Sequence, residues 1–330
     1  MVETSMDVAA YQGSGWQPRQ PSHREDIAAG QLWLPCGIDS EWARLRRVVL
    51  TVPHPSWRPP ASWNEAQYLA PVDFAALRAE LLAYGEALRA LGAEVHVATA
   101  PESPVGAATL YNAIFSRDQF FSTPDGVIVS RMASVPRAGE ERAVSAFLAD
   151  LGVPIVRMLR GQACFEGADA LWVTPRLVII GTHNRTNMEA ATQVAASLAE
   201  QGVQTATGRL PAGIQHLLGI LQIVGPRTAV VRRDKPLPDS LRAPLVELGF
   251  RFVELDDKDK EVSERQAMNF VTVGMHEVIM LADRPHTQAA LAAAGITAHA
   301  TVRAEQLLRA AGGIACATGI LRRALVSEAG

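Results

Sequence analysis

Apolar positions along this chain follow two spacings, one typical of helices and one typical of strands. The stretch 71–92 (PVDFAALRAELLAYGEALRALG) has apolar residues three or four positions apart, which predicts an amphipathic helix. Short apolar runs at 46–53 and 93–99 flank this helix and predict strands. The helix residues that we expect in the core include Leu77, Leu81, Leu82 and Leu88.

The order hairpin, helix, strand recurs three times in the second half of the chain. The predicted hairpins cover 170–182, 216–232 and 269–283, with turns at Thr174–Arg176, Gly225–Arg227 and Gly274–His276. A predicted helix follows each hairpin, at 187–202, 238–249 and 286–295. A predicted strand follows each of these helices, at 203–207, 251–256 and 297–301. An earlier strand, helix and strand, at 125–131, 137–152 and 153–158, fit the same unit less cleanly. This periodicity indicates internal repeats, and a closed ring of ββαβ units would hide most sheet edges.

Composition narrows the function classes. With 330 residues, 48% of them apolar, the chain can bury a large core, and we predict one α/β domain over 27–330. The net charge of -3 and the absence of a basic stripe argue against nucleic-acid binding. No run of 18 apolar residues occurs, so we expect no transmembrane helix and no membrane partner.

The first 26 residues are polar and rich in Gly, Pro, Ser and Gln, and we expect residues 1–26 to form a loosely ordered extension. They do not have the pattern of a secretory signal. The three cysteines, Cys36, Cys164 and Cys316, form neither a disulfide framework nor a zinc pattern. Free thiols are typical of the reducing cytoplasm, where we expect the protein.

Several polar residues occur beside glycines or strand ends. They are Asp118 in NAIFSRDQFF, Glu166 and Asp169 in CFEGADALW, Arg185 in GTHNRTN, His216 in QHLLG and Cys316 in GGIACATGILRR. Taken singly, the acids fit turns or caps, the arginine a solvated turn, and the histidine and cysteine the core. Taken together, they are the residue types that nucleophilic catalysis uses. A thiolate would attack, an imidazole would move protons, one carboxylate would orient the imidazole and another would hold a cationic substrate.

The segments NAIFSRD, EGAD, GTHNRTN, QHL and GGIACAT, in this order, resemble the guanidine-modifying superfamily. Its members include arginine deiminase, dimethylarginine dimethylaminohydrolase and the amidinotransferases. The resemblance extends from about residue 42 to residue 325 and implies a five-bladed ββαβ propeller, the pentein fold. It also implies chemistry that requires no metal and no organic cofactor.

The resemblance assigns a role to each matching residue. Cys316 corresponds to the nucleophile that forms a covalent amidino adduct, His216 to the general acid and base, and Glu166 to its carboxylate partner. Asp118 corresponds to the acid that pairs with the guanidinium. Asn112 and Phe115 correspond to residues that line the pocket, and Arg137 and Arg185 to arginines that bind a substrate α-carboxylate. Asp169 is more typical of a structural residue that fixes the Glu166 loop.

Two positions depart from the arginine deiminase pattern. Those enzymes have His-Leu-Asp where this chain has His216, Leu217 and Leu218, so the second guanidinium-binding acid is missing. Unsubstituted guanidinium hydrogens facing Leu218 would cost roughly 1–3 kcal/mol per unpaired group. This favours an N-substituted guanidine. The second departure is Ala315, where the deiminases have histidine.

The function that we predict is hydrolysis of a guanidino compound, such as an N-substituted arginine or a related guanidino acid. The same residues would also suit an amidinotransferase that passes the amidino group to an amine. A protein that binds a guanidino or ureido ligand without turning it over is the third alternative. The expected partner is a small-molecule substrate, and the resemblance also allows a homodimer.

Overall fold

The computed structural model describes residues 7–102 and 109–326 of the chain. Its strands form five three-stranded sheets, and a helix joins the middle strand of each sheet to the outer one. In each sheet the middle strand pairs antiparallel with one neighbour and parallel with the other. The predicted ββαβ repeat is therefore confirmed, and the two units that the pattern showed less clearly follow it too.

The elements occur in the following order. Helix α1 (His23–Ala29) precedes the first sheet, which holds β1 (Leu45–Val52), α2 (Phe74–Ala90) and β2 (Glu94–Thr99). A short helix α3 (Ser116–Gln119) leads into β3 (Phe120–Thr123), β4 (Gly126–Val129), α4 (Glu140–Asp150) and β5 (Ile155–Met158). The third unit holds β6 (Ala170–Thr174), β7 (Leu177–Thr182), α5 (Met188–Ala199) and β8 (Gln204–Arg209). The fourth holds β9 (Leu221–Gly225), β10 (Thr228–Arg232), α6 (Asp239–Glu247) and β11 (Arg251–Leu255). The last elements are β12 (Val271–Gly274), β13 (Glu277–Leu281), α7 (Pro285–Ala293), β14 (Thr297–Val302), α8 (Glu305–Arg309), α9 (Ile314–Ala317) and β15 (Gly319–Arg323).

The last strand completes the first sheet. β15 pairs antiparallel with β1, with Val48 opposite Ile320, so the two ends of the repeat region close on each other. We call β3, β6, β9, β12 and β15 the entry strands, because each is the antiparallel neighbour of its middle strand. The closure places the loop before β15 beside the loops before the other entry strands.

Hydrogen bonds and packing link neighbouring entry strands into a ring. Ser122 Oγ on β3 donates to the carbonyl of Ile320 on β15, and Trp172 Nε1 on β6 donates to the carbonyl of Ser122. Gln222 Nε2 on β9 donates to the carbonyl of Phe270, which precedes β12. β12 in turn packs against β1. The predicted five-bladed propeller is confirmed, and ring closure covers the sheet edges that separate sheets would expose.

The helices pack one apolar face onto the sheets. In α2 the side chains of Leu77, Leu81 and Leu88 are buried, as predicted. Leu82, also expected in the core, is 39% exposed. It follows Leu81 directly and therefore points about 100° away around the helix, towards solvent. No helix in the described part of the chain is long and apolar enough to cross a membrane.

Two strands differ from the pattern-based expectation. The hairpin turns at Thr174–Arg176, Gly225–Arg227 and Gly274–His276 are confirmed, but β3 and β15 were not predicted. Both strands are short and largely buried, so they show no apolar–polar alternation.

The N-terminal segment also contains unexpected regular structure. Its last residues, expected to be loosely ordered, are helical from His23 onwards, because Ser22 and Glu25 form a reciprocal capping box. Residues 1–6 of that segment lie outside the described residues.

Candidate active site

Every sheet contributes one polar side chain to the same place. Each entry strand is preceded, within five residues, by one member of the set Asp118, Glu166, His216, Asn269 and Cys316. Because the entry strands surround the propeller axis, the segments that lead into them meet at one end of it. The residues Asp118, Glu166, His216 and Cys316 were predicted for the site, whereas Asn269 was not. The repeat itself is the signal that would have found Asn269, since it occupies the equivalent position in its unit.

Glycines allow these segments to approach one another closely. A Cβ atom at Gly167 would lie 2.3 Å from the carbonyl oxygen of Phe120, so only glycine fits between the Glu166 loop and β3. A Cβ at Gly312 would lie 2.3 Å from the ring of Phe115, and one at Gly313 would lie 2.6 Å from the Asn269 side chain. The paired glycine before Cys316 thus lets the cysteine loop pack directly against the site.

His216 and Glu166 form a buried hydrogen-bonded pair. His216 Nε2 lies 2.7 Å from Glu166 Oε2, and both side chains are buried. Burial opposes the charge on His216, but the nearby carboxylates of Asp118, Asp169 and Glu166 raise its pKa to about 9. Burial would also raise the pKa of Glu166, but Arg137, His216 and Arg185 outweigh it and hold that pKa well below its ordinary value. The pair is therefore an imidazolium and a carboxylate at neutral pH.

Asp169 connects the loops that carry Glu166 and His216. Its Oδ1 accepts a hydrogen bond of 2.9 Å from the amide of Leu217, and its Oδ2 accepts one of 2.6 Å from Thr186 Oγ1. Thr186 Oγ1 in turn accepts from the amide of Glu166. Asp169 thus contacts the residues that hold the catalytic candidates, in agreement with the structural role expected for it.

Arg137 lies in the middle of a buried group of acids. Its Nε and Nη2 donate to the two carboxylate oxygens of Glu140 at 2.9 Å each. Its Nη1 donates to Asp118 Oδ2 at 2.8 Å and to Glu166 Oε2 at 3.0 Å. Arg185 Nη1 also donates to Glu166, at 3.1 Å from Oε2. Both predicted arginines lie at the site but contact carboxylates of the protein, and their binding of a substrate carboxylate stays a prediction.

Asp118 keeps one carboxylate oxygen free of protein donors. Its side chain is 3% exposed, and within the described ranges Oδ1 has no hydrogen-bond partner. Oδ1 lies 3.9 Å from His216 Nε2, beyond hydrogen-bond distance. A buried carboxylate oxygen without a donor is costly, so this atom is a ready acceptor for a cationic ligand.

Both polar atoms of the Asn269 side-chain amide form hydrogen bonds to the cysteine loop. Its Nδ2 donates to Cys316 Sγ at 3.1 Å, and its Oδ1 accepts from the amide of Ala315 at 2.7 Å. Burial of the Cys316 thiol and the negative charge of Asp118 raise its pKa above the ordinary value. The hydrogen bond from Asn269 acts in the opposite direction. The thiol is therefore protonated at rest and already has one donor that would stabilise its thiolate.

Two cavities meet at Cys316 and His216. The smaller one, which we call the charged chamber, has a volume of about 20 Å³. Its lining includes the predicted residues Asn112, Phe115, Asp118, Arg137 and Arg185. The larger one has a volume of about 340 Å³ and contains the predicted residue Leu218, so we call it the Leu218 cavity. The site is thus divided into a small part lined by several charged side chains and a wide part lined by fewer of them.

Known proteins resemble this chain in part of its sequence and in its fold. Residues 84–217 match the arginine deiminase family. DDAH from Pseudomonas aeruginosa, solved as a cysteine-to-serine mutant with citrulline, superposes with a TM-score of 0.66 at 20% identity, over 85% of this chain and 99% of that one. The chain thus has a segment similar to the arginine deiminase family and the overall fold of DDAH.

Other solved structures superpose equally well on this chain. SxtG, an amidinotransferase of the saxitoxin biosynthetic pathway from Microseira wollei, has a TM-score of 0.70 at 16% identity over 88% of this chain and 98% of that one. The N-terminal domain of ArgZ, a cyanobacterial arginine dihydrolase, has a TM-score of 0.69 at 17% identity, covering 85% and 98%. The uncharacterized protein YkgA of Bacillus subtilis is 22% identical over 205 residues, which are 62% of this chain and 68% of YkgA.

The two departures from the arginine deiminase pattern lie at the Leu218 cavity and in the cysteine loop. Leu218 is 7% exposed and lines the wide cavity. Ala315 is 4% exposed, and its amide is the group that Asn269 holds. The side chains at these two positions offer no hydrogen bond to a ligand, whereas a deiminase-like acid or histidine would.

Two acids of the site share a cationic partner within the protein. Ligand atoms of Asp118, Glu166 and His216 lie within 4.8 Å of one another, a spacing that could suit a metal ion. Arg137 Nη1, however, already bonds to Asp118 and Glu166, so its guanidinium supplies positive charge between the two carboxylates. The absence of a metal requirement stays a prediction.

Proposed function

We propose that the chain is a hydrolase of guanidino compounds that forms a covalent amidino adduct on Cys316. One observation carries this proposal: Cys316, His216 and Asp118, from three different sheets, line one chamber. The family match and the names of the structural neighbours, which include a dihydrolase and an amidinotransferase, support the same class of substrate.

The geometry supports a definite sequence of steps. Asp118 Oδ1 accepts an N–H of the substrate guanidinium and places its carbon beside Cys316. The cation offsets the charge of Asp118 and, with the Asn269 hydrogen bond, lowers the pKa of the Cys316 thiol, which loses its proton to solvent. The sulfur then attacks the carbon and forms a C–S bond.

His216 completes both halves of the reaction. As the C–N bond breaks, the imidazolium donates its proton to the departing nitrogen, which leaves as an amine or ammonia. The neutral imidazole then takes a proton from water, whose oxygen attacks the amidino carbon. The C–S bond breaks, the thiolate is regenerated and a ureido product leaves. Glu166 keeps the ring oriented throughout through its 2.7 Å hydrogen bond.

Leu218 supports an N-substituted substrate. Its side chain borders the cavity next to Cys316 and cannot accept hydrogen bonds from unsubstituted guanidinium nitrogens. Each unpaired N–H would cost roughly 1–3 kcal/mol, whereas an alkyl substituent would be buried favourably. A guanidino acid that carries an apolar N-substituent therefore suits the site best.

The test is product release from a panel of guanidines. The panel contains arginine, N-methylated arginines, guanidino acids and alkylguanidines, assayed for amine, ammonia and ureido product. We expect Cys316→Ala to abolish release and Cys164→Ala, a change at another half-buried thiol, to preserve it. Turnover that survives Cys316→Ala contradicts the proposal. Formation of a substituted guanidine only when an amine acceptor is added would identify a transferase instead.

A further inference from the structure

We propose that the non-reacting arm of the substrate lies in the Leu218 cavity and that Arg232 binds a carboxylate at its end. The inference rests on the proposed function and names the substrate class: guanidino acids with an apolar arm and no α-amino group. It assigns to Arg232 the carboxylate contact that the family resemblance assigns to Arg137 and Arg185.

The charged chamber cannot hold the arm of such a substrate. Its volume of about 20 Å³ is close to the space that one water molecule requires. Arg137, whose side chain is 2% exposed, is held there by four hydrogen bonds to three acids. Freeing Arg137 for a substrate carboxylate would leave those buried acids without their cation, which is strongly unfavourable. The chamber has room for a guanidinium nitrogen at Asp118 Oδ1, but not for an amino-acid tail.

The Leu218 cavity begins at the same reacting groups and has the missing space. Cys316 and His216 line it as well, and its volume of about 340 Å³ is within the usual range of small-molecule sites. Its apolar lining includes Leu69, Ile214, Leu218, Val262 and Met268. An alkyl chain that leaves the guanidine group at Cys316 would therefore run along apolar side chains.

Among the described residues that line this cavity, Arg232 is the charged side chain besides His216. It ends β10, and its side chain is 12% exposed. Asp234 holds the guanidinium through Nε, at 2.9 Å, and Nη2, at 2.5 Å. This ion pair orients the group and uses two of its three nitrogens, so Nη1 can donate to a further acceptor. A charge-assisted hydrogen bond to a carboxylate is stronger than one to a neutral group.

The charges of the cavity also select against an α-amino group. Among the described residues that line it, there is no aspartate or glutamate to hold an ammonium group. Arg232 would repel one, an effect that its ion pair with Asp234 reduces, and the His216 imidazolium, whose pKa is about 9, would add to this repulsion. A guanidino acid such as 5-guanidinopentanoate, which is arginine without its α-amino group, should therefore bind better than arginine.

Binding to the Cys316→Ala protein tests this independently of turnover. Calorimetry would compare 5-guanidinopentanoate, its primary amide, pentylguanidine and arginine. We expect the acid to bind most tightly and arginine roughly tenfold more weakly. Arg232→Leu should weaken binding of the acid roughly ten- to hundredfold and leave pentylguanidine unchanged. Arg233→Leu is the matched control, since Arg233 is 59% exposed and is not in the cavity lining.

A second variant keeps the inference testable if Arg232→Leu does not fold. Ser263→Asp places a carboxylate in the cavity lining and should raise the affinity for arginine relative to 5-guanidinopentanoate. The inference is overturned if arginine binds as well as the acid in the unmodified cavity, or if the Arg232 and Arg233 variants have equal effects. Guanidine turnover without any Arg232 dependence would leave the hydrolase proposal standing. Binding as expected, with neither turnover nor a Cys316 adduct, would overturn only the hydrolase.

Discussion

The charged chamber and the Leu218 cavity share Cys316, His216, Gln215 and Ala311 but differ in size and in charge. In the chamber, Arg137 already bonds to Asp118, and little space remains. The cavity is wide, polar and apolar groups contribute nearly equally to its surface, and Arg232 carries a cationic charge there. The difference indicates that the protein assembles its reactive groups in advance and leaves recognition of the variable part of the substrate to a separate surface.

The largest effect should follow from removing Glu166, the buried acid behind the charged chamber. Glu166→Gln removes one of the three acids that bond to Arg137, the carboxylate partner of Arg185 and the anchor of His216. We expect about a thousandfold loss of turnover and a loss of about 3–5 kcal/mol in the free energy of unfolding. Turnover and denaturant melts would measure both. Glu254→Gln, which affects an exposed ion pair with Arg233, should cost less than about 1 kcal/mol; equal losses in the two variants would show that the chamber charges are not coupled.

The next effect is the pH dependence of stability caused by His216. Its pKa is raised in the folded protein to about 9 from an ordinary 6.5, so the folded state favours the protonated ring. The resulting stabilisation, roughly 3 kcal/mol, is fully present below pH 6.5 and is lost as the pH rises through about 9. Unfolding measured from pH 6 to pH 10 should show this loss in the wild type and not in His216→Asn. A stability curve that rises over the same interval would contradict the assignment.

Asn269 offers a sharper test at the point where the two cavities meet. Asn269→Ala removes the hydrogen bond to Cys316 Sγ and the acceptor for the Ala315 amide. The pKa of the Cys316 thiol should rise, and kcat should fall roughly ten- to hundredfold with little change in KM. The rate of iodoacetamide labelling of Cys316 as a function of pH reports the thiolate directly. Gln193→Ala, at an exposed amide remote from the thiol, is the control; an unchanged labelling profile in Asn269→Ala would limit Asn269 to a structural role.

The smallest effect should follow from a change at Leu218 in the wide cavity. Leu218→Asp gives the cavity an acid beside Cys316 and should shift selectivity roughly tenfold from N-methylguanidine towards unsubstituted guanidine. The ratio of the two kcat/KM values is the measurement. Leu218→Met keeps the apolar volume and should leave that ratio unchanged. A ratio that stays the same in Leu218→Asp would show that Leu218 does not face the guanidinium substituents.

The repeat pattern explains which parts of the fold could be predicted. The turns at Thr174–Arg176, Gly225–Arg227 and Gly274–His276 were identified because turn residues interrupt long apolar runs. β15 was missed because its partner β1 lies more than 260 residues earlier in the chain, and no local pattern reports such a pairing. Leu82 was placed in the core because apolar character alone does not state which way a helical residue points.

The residues of the candidate site likewise include some that the sequence predicted and some that it did not. Residue types and their neighbours predicted that Cys316, His216, Glu166 and Asp118 belong together. Asn269 was missed because a lone asparagine has no signature of its own, and its role depends on the sulfur 3.1 Å away. The three acids around Arg137 could not be foreseen either, since Asp118, Glu140 and Glu166 come from different elements of two sheets.

The sequence by itself determined the repeated ββαβ unit and the set of candidate reactive side chains, because both depend on residue type and spacing along the chain. Only the tertiary structure decided how charge and space are distributed around Cys316. It pairs Arg137 with the protein's own acids, leaves Asp118 Oδ1 without a donor, and opens the cavity that Leu218 and Arg232 line. These properties arise from contacts between sheets, and electrostatic energies and cavity volumes depend on distances in space rather than on positions in the sequence.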